Sequence, residues 1–110
     1  MNHVLENRLN SFINKKKIKN ILIITGKKSF NFSGFKKLGI YKNFKSIMKI
    51  FYKKNDIPEI NELKFLIKKI NIINPDLIIA LGGGCVIDYA KLANGLHSTK
   101  NLKKKLKAAL

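Results

Sequence analysis

Two short segments of the chain are almost entirely apolar, residues 20–25 (NILIIT) and residues 76–81 (DLIIAL). Each is too short for a helix, is rich in branched side chains and shows no polar alternation, which is typical of a strand buried on both faces of a sheet. Residues 49–52 predict a further short strand. The pattern therefore predicts about three strands.

Helical and loop patterns occupy the stretches around these strands. Apolar residues recur at helical spacing over residues 3–14, and residues 41–48 predict a second helical stretch. Residues 26–34 (GKKSFNFSG) combine glycine, serine and asparagine, and therefore predict a loop.

A third helix is predicted before the strand at residues 76–81. Asn55 and Asp56 are favourable caps, Pro58 suits a first helical turn and Pro75 closes the helix. Its apolar residues follow at steps of three and four: Ile60, Leu63, Ile67, Ile70 and Ile73.

Glycines mark both ends of the last predicted helix. Three of them, residues 82–84, directly follow the strand at residues 76–81, and Gly95 ends the helical segment at residues 86–94. Residues 98–110 form a lysine-rich amphipathic tail.

The order of these elements predicts an α/β protein with a parallel sheet of about three strands and helices on its faces. A chain of 110 residues suffices for one small domain at most. Because typical doubly wound sheets have about six strands, we expect an incomplete domain.

The net charge of the chain is strongly positive, +17, which favours anionic partners such as nucleic acid or a membrane surface. However, Arg8 is the only arginine among the 23 cations, and base recognition prefers arginine over lysine. We interpret the lysines as a solvated surface that helps any anionic ligand to bind, and expect neither nucleic acid nor a membrane as partner.

The sequence also predicts a soluble, cytoplasmic protein. Its single cysteine forms no internal disulfide. No apolar run approaches the ~20 residues of a membrane span, and the first residues are too polar for a signal peptide.

The glycine run at residues 82–84 has the clearest chemical meaning. Consecutive glycines between a buried strand and a helix permit positive φ angles and let a ligand approach the backbone, while the amides of the first helical turn stay available. Such a turn at the carboxyl end of a parallel strand predicts an anion site suited to phosphate. The alternative is a tight turn that only packs the helix against the sheet.

The run LGGGCVIDYAK, residues 81–91, resembles the GGGSxxDxAK signature of the iron-containing (group III) alcohol dehydrogenases, a superfamily that also holds glycerol dehydrogenase and dehydroquinate synthase. Residues 19–34 (KNILIITGKKSFNFSG) are similar to that family's first nucleotide-binding strand and the loop after it. The resemblance extends over about residues 4–96. It implies a partial Rossmann-like sheet, the N-terminal domain of the dehydroquinate synthase-like fold.

By this resemblance, Gly82 and the amides of Gly83, Gly84 and Cys85 would hold the diphosphate of NAD or NADP, and Asp88, in the first turn of the helix, would face the nicotinamide side. An acid near a helix N-terminus is also favourable without any ligand. Cys85 replaces the family's usual serine, which weakens binding but keeps the backbone amide. A second hypothesis is a lowered pKa of this thiol and a reactive thiolate.

The loop after the first strand departs from the family pattern. Gly26, after Thr25, stands where members that prefer NAD carry an aspartate for the ribose hydroxyls. Without that acid, Lys27, Lys28 and Ser29 can contact a ribose 2′-phosphate, so NADP is slightly favoured over NAD. The alternative is an ordinary basic loop.

Several parts of the family pattern are not found in the sequence. These are the N-terminal β-hairpin, the TTxGTxSE-like segment and the helical second domain, whose Asp and three His hold the catalytic metal. His3 and His97 have no partner at ligand spacing, so no metal ligand and no catalytic residue is assigned. Residues 1–110 are expected to form a single incomplete NAD(P)-binding domain, with iron or another divalent metal bound only in the intact relatives.

The leading hypothesis is an NAD(P)-binding fragment of an oxidoreductase, an iron-type alcohol dehydrogenase that interconverts small alcohols with aldehydes or ketones by hydride transfer. Alone it is expected to be inactive and marginally stable, and to need a complementing chain segment or a homo-oligomer. The alternatives are a small lysine-rich protein that binds RNA or an acidic partner, and a nonfunctional gene remnant.

Overall fold

The computed structural model describes the backbone of residues 3–97 and 105–109. Its elements, in chain order, are α1 His3–Lys15, β1 Ile21–Gly26, α2 Lys27–Phe32, α3 Gly39–Phe44, β2 Met48–Lys53, α4 Ile60–Ile73, β3 Leu77–Leu81, α5 Gly84–His97 and β4 Lys105–Ala109. The predicted α/β architecture is confirmed. No helix within these ranges is long and apolar enough to span a bilayer.

The strands run parallel in the order β2-β1-β3-β4. The three predicted strands are confirmed, each within one residue of its predicted ends. β4 was not predicted as a strand. It lies in the segment 98–110, for which the sequence predicts an amphipathic tail. Its backbone pairs with the edge of β3 and satisfies hydrogen-bonding groups that an edge strand exposes. The rest of that tail lies outside the described residues.

β1 and β3 are the central strands, and every residue in them is buried. Their side chains alternate between two apolar cores. The core on the side of α1, α2 and α3 receives Ile21, Ile23, Leu77, Ile79 and Leu81. The core on the side of α4 and α5 receives Leu22, Ile24, Ile78 and Ala80. Helices therefore cover both faces of the central strands.

The segment predicted as a loop, residues 26–34, is mostly helical, which corrects the prediction. α2 occupies Lys27–Phe32, and Phe30 on its inner side is buried. The Phe30 ring lies 6.0 Å from that of Phe35 and 6.2 Å from that of Tyr41, centroid to centroid. Packing of this aromatic cluster overrides the local preference of the glycine, serine and asparagine residues for a loop.

α4 begins later than the sequence predicts. Glu59 caps it, in place of Asn55 or Asp56, and accepts hydrogen bonds from two amides of the first turn at 3.1 and 3.0 Å. Pro58 precedes the helix and does not lie in its first turn. Asn74, in the left-handed conformation with φ of 51°, ends the helix just before the predicted proline.

α5 extends beyond its predicted limits, residues 86–94, at both ends. It begins at Gly84 and continues through Gly95, which was predicted to end it. A glycine inside a helix costs roughly 1 kcal/mol relative to alanine. The burial of Tyr89 and Ala93 against the sheet offsets this cost and keeps the helix continuous.

Candidate functional site

The carboxyl ends of β1 and β3 lie side by side at the centre of the sheet. The chain leaves β1 into α2 on one face of the sheet and leaves β3 into α5 on the other. A crevice opens between the two connections, and such a reversal point is where open α/β sheets bind ligands. The two segments predicted to bind a ligand therefore meet at one place.

The three glycines after β3 differ in their surroundings. A Cβ added at Gly83 or Gly84 would meet no atom within 4 Å. At Gly82, φ is 145°, and an added Cβ would lie 3.0 Å from Val86 Cγ2 and 3.3 Å from Ser29 Oγ. The turn therefore requires a glycine at Gly82, whereas packing gives no reason for the other two.

The first turn of α5 presents backbone amides to this open space. The amide of Ile87 donates the first hydrogen bond of the helix, to the carbonyl of Gly83 at 3.2 Å. The amides of Gly84, Cys85 and Val86 precede it and have no acceptor within the helix. Together with the positive end of the helix dipole, these amides can hold an anion such as a diphosphate.

Thr25 aligns the ends of the two central strands. Its side chain is fully buried, and its hydroxyl donates to the carbonyl of Leu81 on the neighbouring strand at 2.7 Å. Gly26 follows as the buried last residue of β1. Thr25 therefore supports the crevice through the backbone, and its hydroxyl is committed to a protein acceptor.

Ser29, on α2, lies against the glycine turn that follows β3. Its Oγ is 3.3 Å from the Cβ position of Gly82 and 3.8 Å from that of Gly26. A cavity of about 300 Å³ at this point is lined by Ser29, Phe32, Ser33, Leu81, Gly82 and Gly83. The structure thus brings Ser29 together with the glycine turn.

Of the predicted site residues, only Gly82, Gly83 and Ser29 are among those that line this cavity. Lys27 and Lys28 are exposed in the first turn of α2. Asp88 is also exposed, and it lies in the second turn of α5 and not in the first, because the helix begins at Gly84. The stabilising effect of an acid in the first turn therefore does not apply to Asp88.

Cys85 lies against the loop that follows β2. Its side chain is half-buried, and Sγ donates to the carbonyl of Asn55 at 3.5 Å. Burial raises the pKa of the Cys85 thiol; the charge of Lys53 opposes this effect, and three nearby carboxylates reinforce it. This direction is opposite to the hypothesis of a lowered pKa and a reactive thiolate. A protonated thiol does not repel phosphate.

Glu62 anchors the same loop, and no motif in the sequence indicates it. Its carboxylate accepts hydrogen bonds from the hydroxyl of Tyr89 at 2.7 Å, the amide of Lys54 at 2.6 Å and the side-chain amide of Asn55 at 2.9 Å. Burial alone would raise the pKa of Glu62, but these hydrogen bonds outweigh burial and lower it. The ionised carboxylate holds the loop after β2 to α5.

Metal ligands do not converge in the part of the chain whose side chains are described. No group of three or more His, Cys, Asp or Glu side chains comes together there. The described side chains therefore do not form a metal-binding set. The side chains of His3 and His97 lie outside the described set.

A family model for iron-containing alcohol dehydrogenases matches residues 4–109. Among solved structures, the chain is similar to an iron-containing alcohol dehydrogenase from Thermococcus thioreducens, with 20% sequence identity and a TM-score of 0.70. The match covers 89% of this chain and 26% of that one, so this chain spans about a quarter of its length. No curated protein matches the chain significantly.

Proposed function

Since the chain belongs to the iron-containing alcohol dehydrogenase family, we propose that it binds the diphosphate of NAD or NADP in the crevice between β1 and β3. In this proposal the chain is part of an oxidoreductase that, when intact, interconverts alcohols with aldehydes or ketones. The coenzyme supplies hydride transfer when bound, while this chain supplies binding and orientation.

The observation that carries the proposal is the open space above Gly83 and Gly84 at the N-terminus of α5. Gly82 differs from these two glycines, because its positive φ and the atoms around its Cβ position account for it without any ligand. Where the missing Cβ would project into empty space, its absence leaves room for a ligand against the backbone amides. The reversal of the sheet connections at the same place is a separate reason to expect a ligand there.

The residues around the crevice fit a dinucleotide. The amides of Gly83, Gly84 and Cys85 would hold the diphosphate oxygens, and the hydroxyl of Ser29 provides a further donor beside the glycine turn. The protonated Cys85 thiol adds no negative charge. In this proposal Asp88, one turn further along α5, would lie on the nicotinamide side.

We propose that NADP is slightly favoured over NAD. Gly26 ends β1 without an acidic side chain, so no carboxylate at this position repels a ribose 2′-phosphate. The hydroxyl of Ser29 lies 3.8 Å from the Cβ position of Gly26. Lys27 and Lys28 begin α2 as exposed cations that can pair with a phosphate.

We propose that the chain alone is inactive as a dehydrogenase. In iron-type relatives a metal acts as Lewis acid on the alcohol, and the described side chains gather no set of metal ligands. The metal and the contacts to a small alcohol or aldehyde would come from a complementing segment.

Fluorescence titration with NADH and NADPH at moderate salt tests the binding proposal. We expect saturable binding, and we expect ADP-ribose to compete because it carries the same diphosphate. A folded chain, verified by circular dichroism, that binds neither coenzyme would contradict the proposal.

The charge of +17 supports one second candidate, a lysine-rich protein that binds RNA or an acidic partner. Such binding weakens steeply as salt increases and does not depend on the coenzyme. Titration with a homopolymeric RNA over a salt series, with and without NADPH, separates the two candidates. Tight RNA binding unaffected by NADPH, in a chain that binds no coenzyme, would favour the second.

A further inference from the structure

Lys53 brings a positive charge to the crevice from β2, where the sequence predicts only a short strand. In the parallel register of β1 and β2, Lys53 is the partner of Gly26. The lysine stem lies over this glycine, since a Cβ added at Gly26 would be 3.4 Å from Cε of Lys53. The ammonium group, one bond beyond Cε, therefore lies at the carboxyl end of β1.

The charge of Lys53 is only weakly neutralised. Its side chain is 18% exposed, and its ammonium pairs at 3.9 Å with Asp56, whose side chain is fully exposed. An exposed partner at that distance contributes little. The ammonium at the edge of the crevice is therefore available to a further anionic partner.

Lys53 also acts on the first turn of α5. Its charge lowers the pKa of Cys85, against the larger effect of burial. Because it pairs with Gly26, Lys53 reaches the crevice from β2, whereas the amides of Gly84 and Cys85 reach it from α5. Phosphate is the ligand chemistry that an ammonium group and the amides of a helix N-terminus both favour.

We propose that Lys53 binds a phosphate oxygen of the dinucleotide and is a determinant of coenzyme affinity. This inference rests on the proposed function and adds a residue from β2 to it. The phosphate is either the diphosphate, which NADH and NADPH share, or the ribose 2′-phosphate, which only NADPH carries.

The test compares Lys53→Met with Lys49→Met in fluorescence titrations of the full chain with NADH and NADPH. Lys53→Met keeps the apolar stem and removes the charge. Lys49→Met removes the same charge from an exposed position at the amino end of the same strand. We expect Lys53→Met to weaken binding about tenfold, and Lys49→Met and Lys53→Arg to bind nearly as the parent does.

Each outcome decides one point. An equal loss for both coenzymes assigns Lys53 to the diphosphate, and a loss confined to NADPH assigns it to the 2′-phosphate. Equal binding by Lys53→Met and Lys49→Met overturns the inference, while saturable binding by the parent leaves the proposed function intact. A parent chain that binds neither coenzyme overturns both.

A measurement on the unaltered chain covers the case in which Lys53→Met does not fold. Lysine acetylation is followed residue by residue by mass spectrometry, with and without NADPH. We expect NADPH to slow acetylation of Lys53 and to leave that of Lys49 unchanged. Equal protection of the two lysines, or none, overturns the inference.

Discussion

Tyr89 donates its hydroxyl hydrogen to Oε1 of Glu62 at 2.7 Å, although the two residues lie on different helices. The same hydroxyl accepts the amide hydrogen of Glu59, the cap of α4, at 2.8 Å. Because the Tyr89 side chain is fully buried, this contact joins the first turn of α4 to α5. It thereby holds the helix that carries the proposed diphosphate site.

Tyr89→Phe tests how much these hydrogen bonds between α4 and α5 stabilise the fold. The variant keeps the ring but leaves the amide of Glu59 without this acceptor. It also removes one donor from Oε1 of Glu62, which keeps its hydrogen bonds from Asn55. We expect the free energy of unfolding to fall by about 1–3 kcal/mol, measured by urea denaturation. Tyr52→Phe is the control, because Tyr52 is partly exposed and its ring contact with Phe30 survives the change. Equal effects of the two variants would contradict the role of Tyr89.

Glu62 links the stability of the fold to pH. Burial acts to raise its pKa, but the hydrogen bonds from Tyr89, Lys54 and Asn55 outweigh it, so the folded-state pKa is lowered. A carboxylate of this kind stabilises the fold above its ordinary pKa, and its contribution is lost as pH falls through the folded-state pKa.

Glu62→Gln reports this contribution directly. We expect the parent to be more stable than the variant near neutral pH, and the difference to shrink as pH falls through the folded-state pKa of Glu62. Urea denaturation of both proteins over a pH series measures the difference. A difference that does not change with pH would show that ionisation of Glu62 is irrelevant to the fold.

The strands and the place of the crevice could be predicted from sequence because each depends on a local pattern. β1 and β3 are apolar at nearly every position, and the glycine run stands directly after β3. Once the strands are taken as parallel, the loop after β1 and the glycine run must lie at the same edge of the sheet.

The features that sequence reasoning missed depend on contacts between distant parts of the chain. α2 forms because Phe30 packs against Phe35 and Tyr41, which lie outside it. Glu62 accepts hydrogen bonds from Lys54, Asn55 and Tyr89. No spacing rule within one element indicates such partners, since they become neighbours only after the sheet has formed.

The glycine turn allows stability and binding to be changed separately. Gly82→Ala is expected to destabilise the fold by about 1–3 kcal/mol because of its φ of 145° and the contact with Val86. Gly83→Ala is expected to change stability by less than about 0.5 kcal/mol, since its Cβ meets no atom. The same methyl group would fill space above the amides and weaken NADPH binding.

Urea denaturation and NADPH titration of both variants check these expectations. Unchanged coenzyme affinity in a stable Gly83→Ala variant would show that the open space does not hold the diphosphate.

Thr25 supports the crevice through its hydrogen bond to the carbonyl of Leu81 at 2.7 Å. Thr25→Val keeps the shape of the side chain but leaves this carbonyl without the hydroxyl in a buried environment. We expect a loss of about 1–3 kcal/mol in the free energy of unfolding, measured by urea denaturation. Thr25→Ser, which retains the hydroxyl, is expected to lose less. A valine variant as stable as the serine variant would show that the hydroxyl of Thr25 does not stabilise the fold.

The pKa of the Cys85 thiol shows whether the environment at the start of α5 suppresses thiolate formation. Burial raises its pKa, and the opposing charge of Lys53 does not cancel that effect. The rate of iodoacetamide alkylation, followed against pH, is therefore expected to reach its midpoint above that of an unstructured cysteine peptide. Cys85→Ser restores a stronger donor and is expected to bind NADPH more tightly than the parent. A midpoint below that of the peptide would mean that the helix N-terminus and the lysines outweigh burial, and that a thiolate faces the phosphate site.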